Sequence, residues 1–503
     1  MNDKYRSWTS CINALQRLAF FPILGCLSPG FAGVQDLKNQ PEIRMHDSVL
    51  DDAALNFPAG KYGTCVNGQT FQQEAIISFN EHQYAAYFAE GGVLCLARRK
   101  LPAGAWEVIR FQDYRMKPHN DAHNVVTVGL CPEDGTLHLA FDHHVDTLRY
   151  RRSIDGVALD PTKFRWTAEL FGPTISHLEE GRVIGSVTYP MFFSTPQGRL
   201  QLLYRTGSSG DGDWHLAEYE PVQKWKHVGL LLSSKGSYEN SASRCAYPNP
   251  LRYGPDSRLH LTWCWRERPE GEPMDLRTNH DLCYAYSDDM GRSWKNNDGR
   301  EIAKIAPEDG TKAIALNTPG IVVRKTKFRW GQMNTTTQFV DKAGRVHVIG
   351  WQNPPGAPAG SNDKNEWRYF HYRGAAGGKW SEVQLPFFGR KPQIVLNDAG
   401  RAWVIFTKGD ELNYGGRIDP GGELMIATAK SDTWTDWRIV WKSDRAFVGE
   451  PLIDHDRWKQ TGVLSVYAQE KPKTAGEPSL LRVLDFRLQA PNSQPGPERV
   501  QNR

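Results

Sequence analysis

The sequence predicts an all-β fold, a β-propeller of seven blades, each a four-stranded antiparallel sheet. Three observations carry that reading. A turn-then-strand phrase recurs along the chain at a blade-like pitch. Helical periodicity is weak throughout. Composition favours strands and turns, with 17 Trp, 18 Tyr, 21 Phe, 46 Gly and 31 Pro in 503 residues.

The recurring phrase is a tight turn, a basic or small residue, then an alternating apolar strand. It reads Asp134-Gly135-Thr136-Leu137-His138-Leu139, Gln197-Gly198-Arg199-Leu200-Gln201-Leu202 and Asp256-Ser257-Arg258-Leu259-His260-Leu261. It returns as Ala343-Gly344-Arg345-Val346-His347-Val348 and Ala399-Gly400-Arg401-Ala402-Trp403-Val404, with a weaker early copy at Glu90-Gly91-Gly92-Val93. Turn positions 135, 198, 257, 344 and 400 are 63, 59, 87 and 56 residues apart. One four-stranded unit per repeat, set radially, buries sheet faces that no single unit could cover. The stretch Ser287-Asp288-Asp289-Met290-Gly291-Arg292-Ser293-Trp294 adds an Asp-box, in which Ser and Asp tie a turn and Trp packs between strands. It is a folding device of such blades, not a reactive one.

The N-terminus reads as a targeting segment, residues 1–32. Lys4, Arg6 and Arg17 precede the apolar run Leu18 to Cys26, and Gly30-Phe31-Ala32 supplies small residues for cleavage. Ile23-Leu24-Gly25-Cys26 also fits a lipoprotein cleavage site, which would anchor the chain through Cys26. No stretch is long enough to span a bilayer. Residues 33–489 are expected to form a single propeller domain. The Pro/Asn/Gln/Ser-rich tail, 490–503, is expected to be disordered. A bacterial protein that is secreted, periplasmic or at the cell surface, and monomeric, is the expectation. Net charge is +4 without a Lys/Arg block, so nucleic acid is not an expected partner.

Two hairpins carry the chemistry. Pro118 to His144 folds about Pro132-Glu133-Asp134-Gly135. Facing residues in a hairpin have a constant sum, and that rule sets His123 beside His143. The second hairpin turns at Pro196-Gln197-Gly198 and sets Tyr189 across from Arg205 on one face. A phenol beside a guanidinium has its phenolate favoured. Two imidazoles and a Tyr–Arg pair can abstract a proton and steady an anion. The bland alternative is that each is a packed strand residue with one hydrogen bond.

Eight cysteines stand at 11, 26, 65, 95, 131, 245, 264 and 283. They form no dense disulfide framework. Cys264, His280 and Cys283 on neighbouring strands, with Cys245 and His260 near in sequence, are a candidate structural zinc set. Buried thiols with a hydrogen-bonded histidine explain the same residues.

His123-Asn124, the Asp134–His144 hairpin, Tyr189-Pro190-x-Phe192-Phe193, Tyr204-Arg205-x-Gly207-x-Ser209-Gly210-Asp211-Gly212 and Asn279-His280-Asp281-Leu282-Cys283 together resemble the BNR-repeat propeller family. That family includes the seven-bladed ulvan lyases, and the resemblance runs from about Glu81 to Trp437. It implies a polysaccharide lyase acting by β-elimination on a uronate-containing, ulvan-like sulfated polysaccharide. It implies His123 and Tyr189 as the catalytic pair, Arg205 as the cation on the uronate carboxylate and His143 as a second active-site histidine. Asn124, His144, Tyr204 and Arg205 are implied as substrate-binding. No cofactor is implied for catalysis. In this scheme Tyr189 is the acid and, on one sugar face, also the base. His123 is the base on the other face or keeps Tyr189 ionised, and His143 binds the carboxylate or orients His123.

Two rivals share the architecture. A sialidase-like glycoside hydrolase would need three arginines and an Arg-Ile-Pro-type phrase, which does not occur. A carbohydrate-binding propeller without activity would keep the aromatics but not need the His/Tyr/Arg cluster.

Overall fold

The five turns of the repeated phrase share one backbone feature. In the computed structural model Gly135, Gly198, Ser257, Gly344 and Gly400 all have positive φ, from 62° to 86°. Glycine adopts that conformation without strain. Ser257 does so at the one copy that lacks it. Each turn closes an antiparallel hairpin: Cys131 faces Thr136, Ser194 faces Leu200, Tyr253 faces Leu259, Val340 faces Val346 and Leu396 faces Ala402.

The structure describes residues 43–488, apart from 59–62, 64, 118–119, 272–273, 275–277, 308–311, 333, 355–366 and 409–421. These residues lie in one unit, Pro41–Ala490. The expected targeting segment, Cys26 and the tail 490–503 lie outside the described residues.

The fold is all-β, and strands pair with their sequence neighbours. One such run is Val187–Ser194, Leu200–Ser208, Asp211–Glu220 and Lys224–Leu232. Another is a separate four-stranded sheet, Thr337–Val340 to Ser381–Gln384. The first described strand, Ile43–Ala54, pairs antiparallel with the last, Ser479–Leu488. A single α-helix, His455–Thr461, occurs among the described residues. No helix among them is long and apolar enough to cross a membrane.

The core lies between sheets and is rich in indole. Trp214, Trp263, Trp265, Trp294, Trp367, Trp403 and Trp434 are all fully buried. The Asp-box folds as its sequence predicts. Asp289 Oδ1 accepts from the Ser293 amide at 2.8 Å, Ser287 Oγ accepts from the Gly291 amide at 2.7 Å, and Trp294 Nε1 donates to Gly291 O at 2.9 Å.

The strand after His123, Val126–Cys131, packs on the strand that carries Tyr189. Close approach is possible because position 129 has no side chain. A Cβ built on Gly129 would lie 2.5 Å from Phe192 Cγ. Gly129→Ala is therefore expected to destabilise the protein by about 1–3 kcal/mol through overpacking. Thermal unfolding measures it, with Gly91→Ala as the strained but uncrowded control.

Candidate active site

Both hairpins leave regular pairing just where the candidate side chains stand. In the first, Val126 faces Phe141 and the ladder then stops. Asp142 takes a φ of 60°. That twist changes which imidazole meets His123. The partner is His144, whose ring stacks on His123 at 4.1 Å and 12°. His143 turns away, and its Nε2 accepts a hydrogen bond from the Arg149 amide at 2.7 Å. The expected His123–His143 pair is thus corrected. Constant-sum counting holds only while the chain stays in the ladder.

In the second hairpin Thr188, not Tyr189, is the Cα partner of Arg205. Tyr189 and Pro190 form a bulge, two residues opposite one. Tyr189 has a φ of 56°, a conformation rare for an aromatic residue and one that marks local strain. The bulge brings its ring under Arg205 all the same, with Cζ 4.8 Å from the ring centre. The guanidinium lies on the ring face. Burial, with Tyr247 adding to it, holds the Tyr189 hydroxyl well above the usual phenol range against the pull of Arg205 and Arg266. The expectation of a favoured phenolate is therefore overturned. At neutral pH Tyr189 keeps its proton and is a donor.

Asp121 organises the imidazoles. Its Oδ1 accepts from His123 Nδ1 at 2.7 Å and its Oδ2 accepts from His144 Nδ1 at 2.6 Å. Burial would raise this carboxyl, but the two imidazole hydrogen bonds prevail and hold it far below the usual range. With Nδ1 protonated toward the carboxylate, the basic lone pair of each ring is on Nε2. His123 is packed between His144 and Phe71, the latter stacked at 4.6 Å and 11°. Burial lowers its pKa to about 4, with Asp121 opposing. It is a neutral base at any pH above that.

Phe71 also meets Tyr189 at 5.1 Å, and Tyr189 meets Tyr247 at 6.1 Å. Arg266 lies over Tyr247 at 4.5 Å and donates to its hydroxyl at 3.2 Å. Lys391 lies over Phe71 at 4.5 Å.

Other expected site residues fall elsewhere. Tyr204 alternates with Arg205 along its strand and so points to the opposite face, where it stacks on His215 at 5.5 Å. It is not a neighbour of Tyr189. Asn124 is turned inward, donating from Nδ2 to Asp142 Oδ1 at 2.5 Å.

The expected zinc set does not assemble. His280 gives both ring nitrogens to carboxylates, Nε2 to Glu267 at 3.2 Å and Nδ1 to Asp281 at 3.1 Å. Cys264 and Cys283 are buried in an apolar cluster. Among the described residues, Asp121, His123 and His144 are the one group of three such donors whose ligand atoms lie within 4.8 Å of one another. Two ligands of a tetrahedral Zn²⁺ would stand about 3.3 Å apart. The 2.6 and 2.7 Å separations are instead those of hydrogen bonds.

A cavity of about 270 Å³ is at the other ends of these strands, lined by Leu130, Pro132, Phe193, Leu200, Asp456 and Lys459 among others. None of the expected site residues lines it.

Asp121, Phe71, Tyr247, Arg266 and Lys391 were not anticipated. Asp121 stands two positions before His123 and was visible as Asp-x-His. Phe71 and Lys391 come from distant segments with no local signal.

The fold is all-β, and a histidine–tyrosine–arginine cluster stands where two of its hairpins leave regular pairing. The chain belongs to the BNR repeat-containing family, which it matches over residues 82–387. It is 23% identical over 419 residues to an ulvan lyase, long isoform, of an Alteromonas species, covering 75% of this chain and 38% of that protein. To the ulvan lyase, long isoform, of Pseudoalteromonas sp. (strain PLSV) it is 23% identical over 504 residues, covering 89% and 47%. The chain thus spans less than half the length of these relatives. Its fold is similar to the crystal structure of polysaccharide lyase Uly1, with a TM-score of 0.66, 20% identity and coverage of 89% and 99%. It is also similar to a PL25 ulvan lyase bound to -[GlcA(1-4)Rha3S]-, with a TM-score of 0.60, 13% identity and coverage of 89% and 96%.

The depressed pKa of His123 has a measurable sign. An unfolded imidazole titrates near 6.5, the buried one at about 4. Between these values the unfolded state takes up the proton first, so this group costs stability as pH falls through that window. NMR titration of histidine-labelled protein is expected to show the His123 ring neutral from pH 7 down to about 5, with a midpoint near 4.

Proposed function

We propose that the chain is a polysaccharide lyase that cleaves a uronate-containing, ulvan-like sulfated polysaccharide by β-elimination, leaving unsaturated uronyl ends. The observation that carries this reading is the contact set around Tyr189: a buried neutral phenol under the Arg205 guanidinium and 5.7 Å, ring centre to ring centre, from the His123 imidazole. The chemistry of elimination needs those three groups. A cation on the uronate carboxylate stabilises the enolate-like intermediate formed when C5 loses its proton. Arg205 is fixed as a cation. A base must take that proton, and His123, oriented by Asp121, has a lone pair on Nε2. An acid must protonate the leaving O4, and Tyr189 carries a proton at neutral pH. Of the two roles open to Tyr189, its high pKa favours the acid. The electron pair of the C5–H bond forms the new C4–C5 double bond as the C4–O4 bond breaks.

We read the architecture as a seven-bladed propeller. The antiparallel pairing of strands with their sequence neighbours among the described residues supports it, as does the hydrogen bonding of first and last described strands. His123, Tyr189 and Arg205 would then sit where two adjacent blades open at one rim. The basic and apolar N-terminal segment supports export to the periplasm, cell surface or medium of a bacterium.

Digestion of ulvan, with ultraviolet absorbance and mass analysis of the products, tests the reading. Ends carrying a conjugated double bond are expected; reducing ends without it would indicate a hydrolase, and no products a binding module. Tyr189→Phe and Arg205→Asn are each expected to abolish the absorbance rise. Asp121→Asn should lower turnover by about 10²–10⁴-fold, the range of a disturbed general base. His143→Gln, which keeps an acceptor for the Arg149 amide, should stay within about threefold of the parent, because a buried hydrogen bond away from the substrate is all it replaces. The His143→Gln ratio separates the pair His123–His144 from the pair His123–His143.

A further inference from the structure

Three cations lie on three aromatic rings, of which Tyr189 touches both Phe71 and Tyr247. Arg205 is on Tyr189, Arg266 on Tyr247 and Lys391 on Phe71. The first two also reach polar atoms: Arg205 Nη1 is 3.9 Å from Cys245 Sγ, and Arg266 donates to Asn279 Oδ1 at 2.8 Å. Lys391 differs. It is 4% exposed, and its Nζ has no hydrogen-bond acceptor among the described residues. Glu450 is the carboxylate that attracts it, but Glu450 Oε2 is taken by the Thr70 amide at 2.7 Å. Arg266 and Arg390 repel it, and Cys264 adds a small attraction. Burying an unpaired ammonium is costly. One aromatic face offsets only part of that cost. An ammonium so placed has hydrogen-bonding capacity unused by the described residues and available to an anion.

Phe71 carries the His123 imidazole stacked on its ring and also the ammonium of Lys391. Lys391 is therefore one ring contact from the reactive groups yet separate from the Arg205 position. We propose that Lys391, with Arg266, forms a second anion-binding position, for a sulfate ester or a second carboxylate on the sugar adjoining the one held at Arg205. This rests on the acidic-polysaccharide reading above. It makes Lys391 a specificity residue for polymers that carry two anions on neighbouring sugars. Burial, opposed by Glu450, lowers the Lys391 pKa to about 8 in the free protein. Its charge, and the affinity that depends on it, is lost as pH rises through that value.

The test is calorimetric binding by Tyr189→Phe protein, which retains the ring but is not expected to turn over. The probes are native ulvan, desulfated ulvan and alginate. Lys391→Met is expected to weaken binding to native ulvan about tenfold or more, the loss of a charge-assisted contact. A loss confined to native ulvan assigns the position to sulfate, and an equal loss on desulfated ulvan and alginate assigns it to carboxylate. Unchanged affinity for all three overturns the proposal, as does an equal loss on carboxyl-reduced, desulfated polymer, which carries no anion. Lys391→Arg keeps the charge and serves even where the methionine variant fails to fold. Native-ulvan affinity should decline above about pH 8 in the parent but not in Lys391→Arg; identical profiles overturn the proposal. Parent protein that binds none of the acidic polymers refutes the polysaccharide reading itself, a result distinct from any of these.

Discussion

One buried carboxylate holds two imidazoles at once, and the arrangement of the site follows from it. Asp121 spends each oxygen on a different ring. That fixes both tautomers, keeps the rings parallel and places His144 as a wall on which His123 rests. Phe71 closes the other side of His123. A ring packed on both faces has little freedom to rotate, so its lone pair is aimed before any substrate arrives. Preorganisation of this kind is worth more to a proton transfer than added basicity, because the base needs no reorientation at the moment of reaction. It comes with a lowered pKa, since burial disfavours the charged imidazole more than Asp121 restores it.

Tyr189 is the complementary case. His123 is buried and neutral without its proton; Tyr189 is buried and neutral with it. The same desolvation moves the two groups in opposite directions, because in each it penalises the charged form. The result is a base and an acid side by side at neutral pH, separated by their environments rather than by distance. The local backbone is bent to permit this. A left-handed tyrosine in a bulge and a left-handed aspartate at a ladder end are both departures from regular β-structure, and both stand beside the reactive groups.

How much of this could be read in the sequence depended on range. Turns and ladders are local, so Cys131 opposite Thr136 and Ser194 opposite Leu200 follow from an Asp-Gly or a Pro-Gln-Gly between alternating runs. The Asp-box likewise contains the partners that tie its turn. His123, Tyr189 and Arg205 were legible as a set through motif resemblance, and they do meet. The errors fell one residue past the ladder, where parity ceases to determine facing. His143 replaced His144 for that reason, and Tyr204 was included beside Arg205 although alternation sends the two to opposite faces. Cys264, His280 and Cys283 look like ligands because sequence shows donor atoms but neither the carboxylates, Glu267 and Asp281, that occupy the His280 ring nor the apolar cluster that buries the two thiols. Phe71 and Lys391 reach the site from segments 52 residues before and 268 residues after His123; only the tertiary fold brings them in.

The pairing of Ile43–Ala54 with Ser479–Leu488 has a consequence for biogenesis. Asp47 and Arg482, ion-paired across that seam, are 435 residues apart. At ~5–20 residues per second of translation, the early strand waits roughly 20–90 s for its partner. Throughout that interval it presents unpaired amides and carbonyls to whatever is nearby. An edge left open for that long is a template for pairing with other chains, so the seam is where the unfinished molecule is most exposed to aggregation.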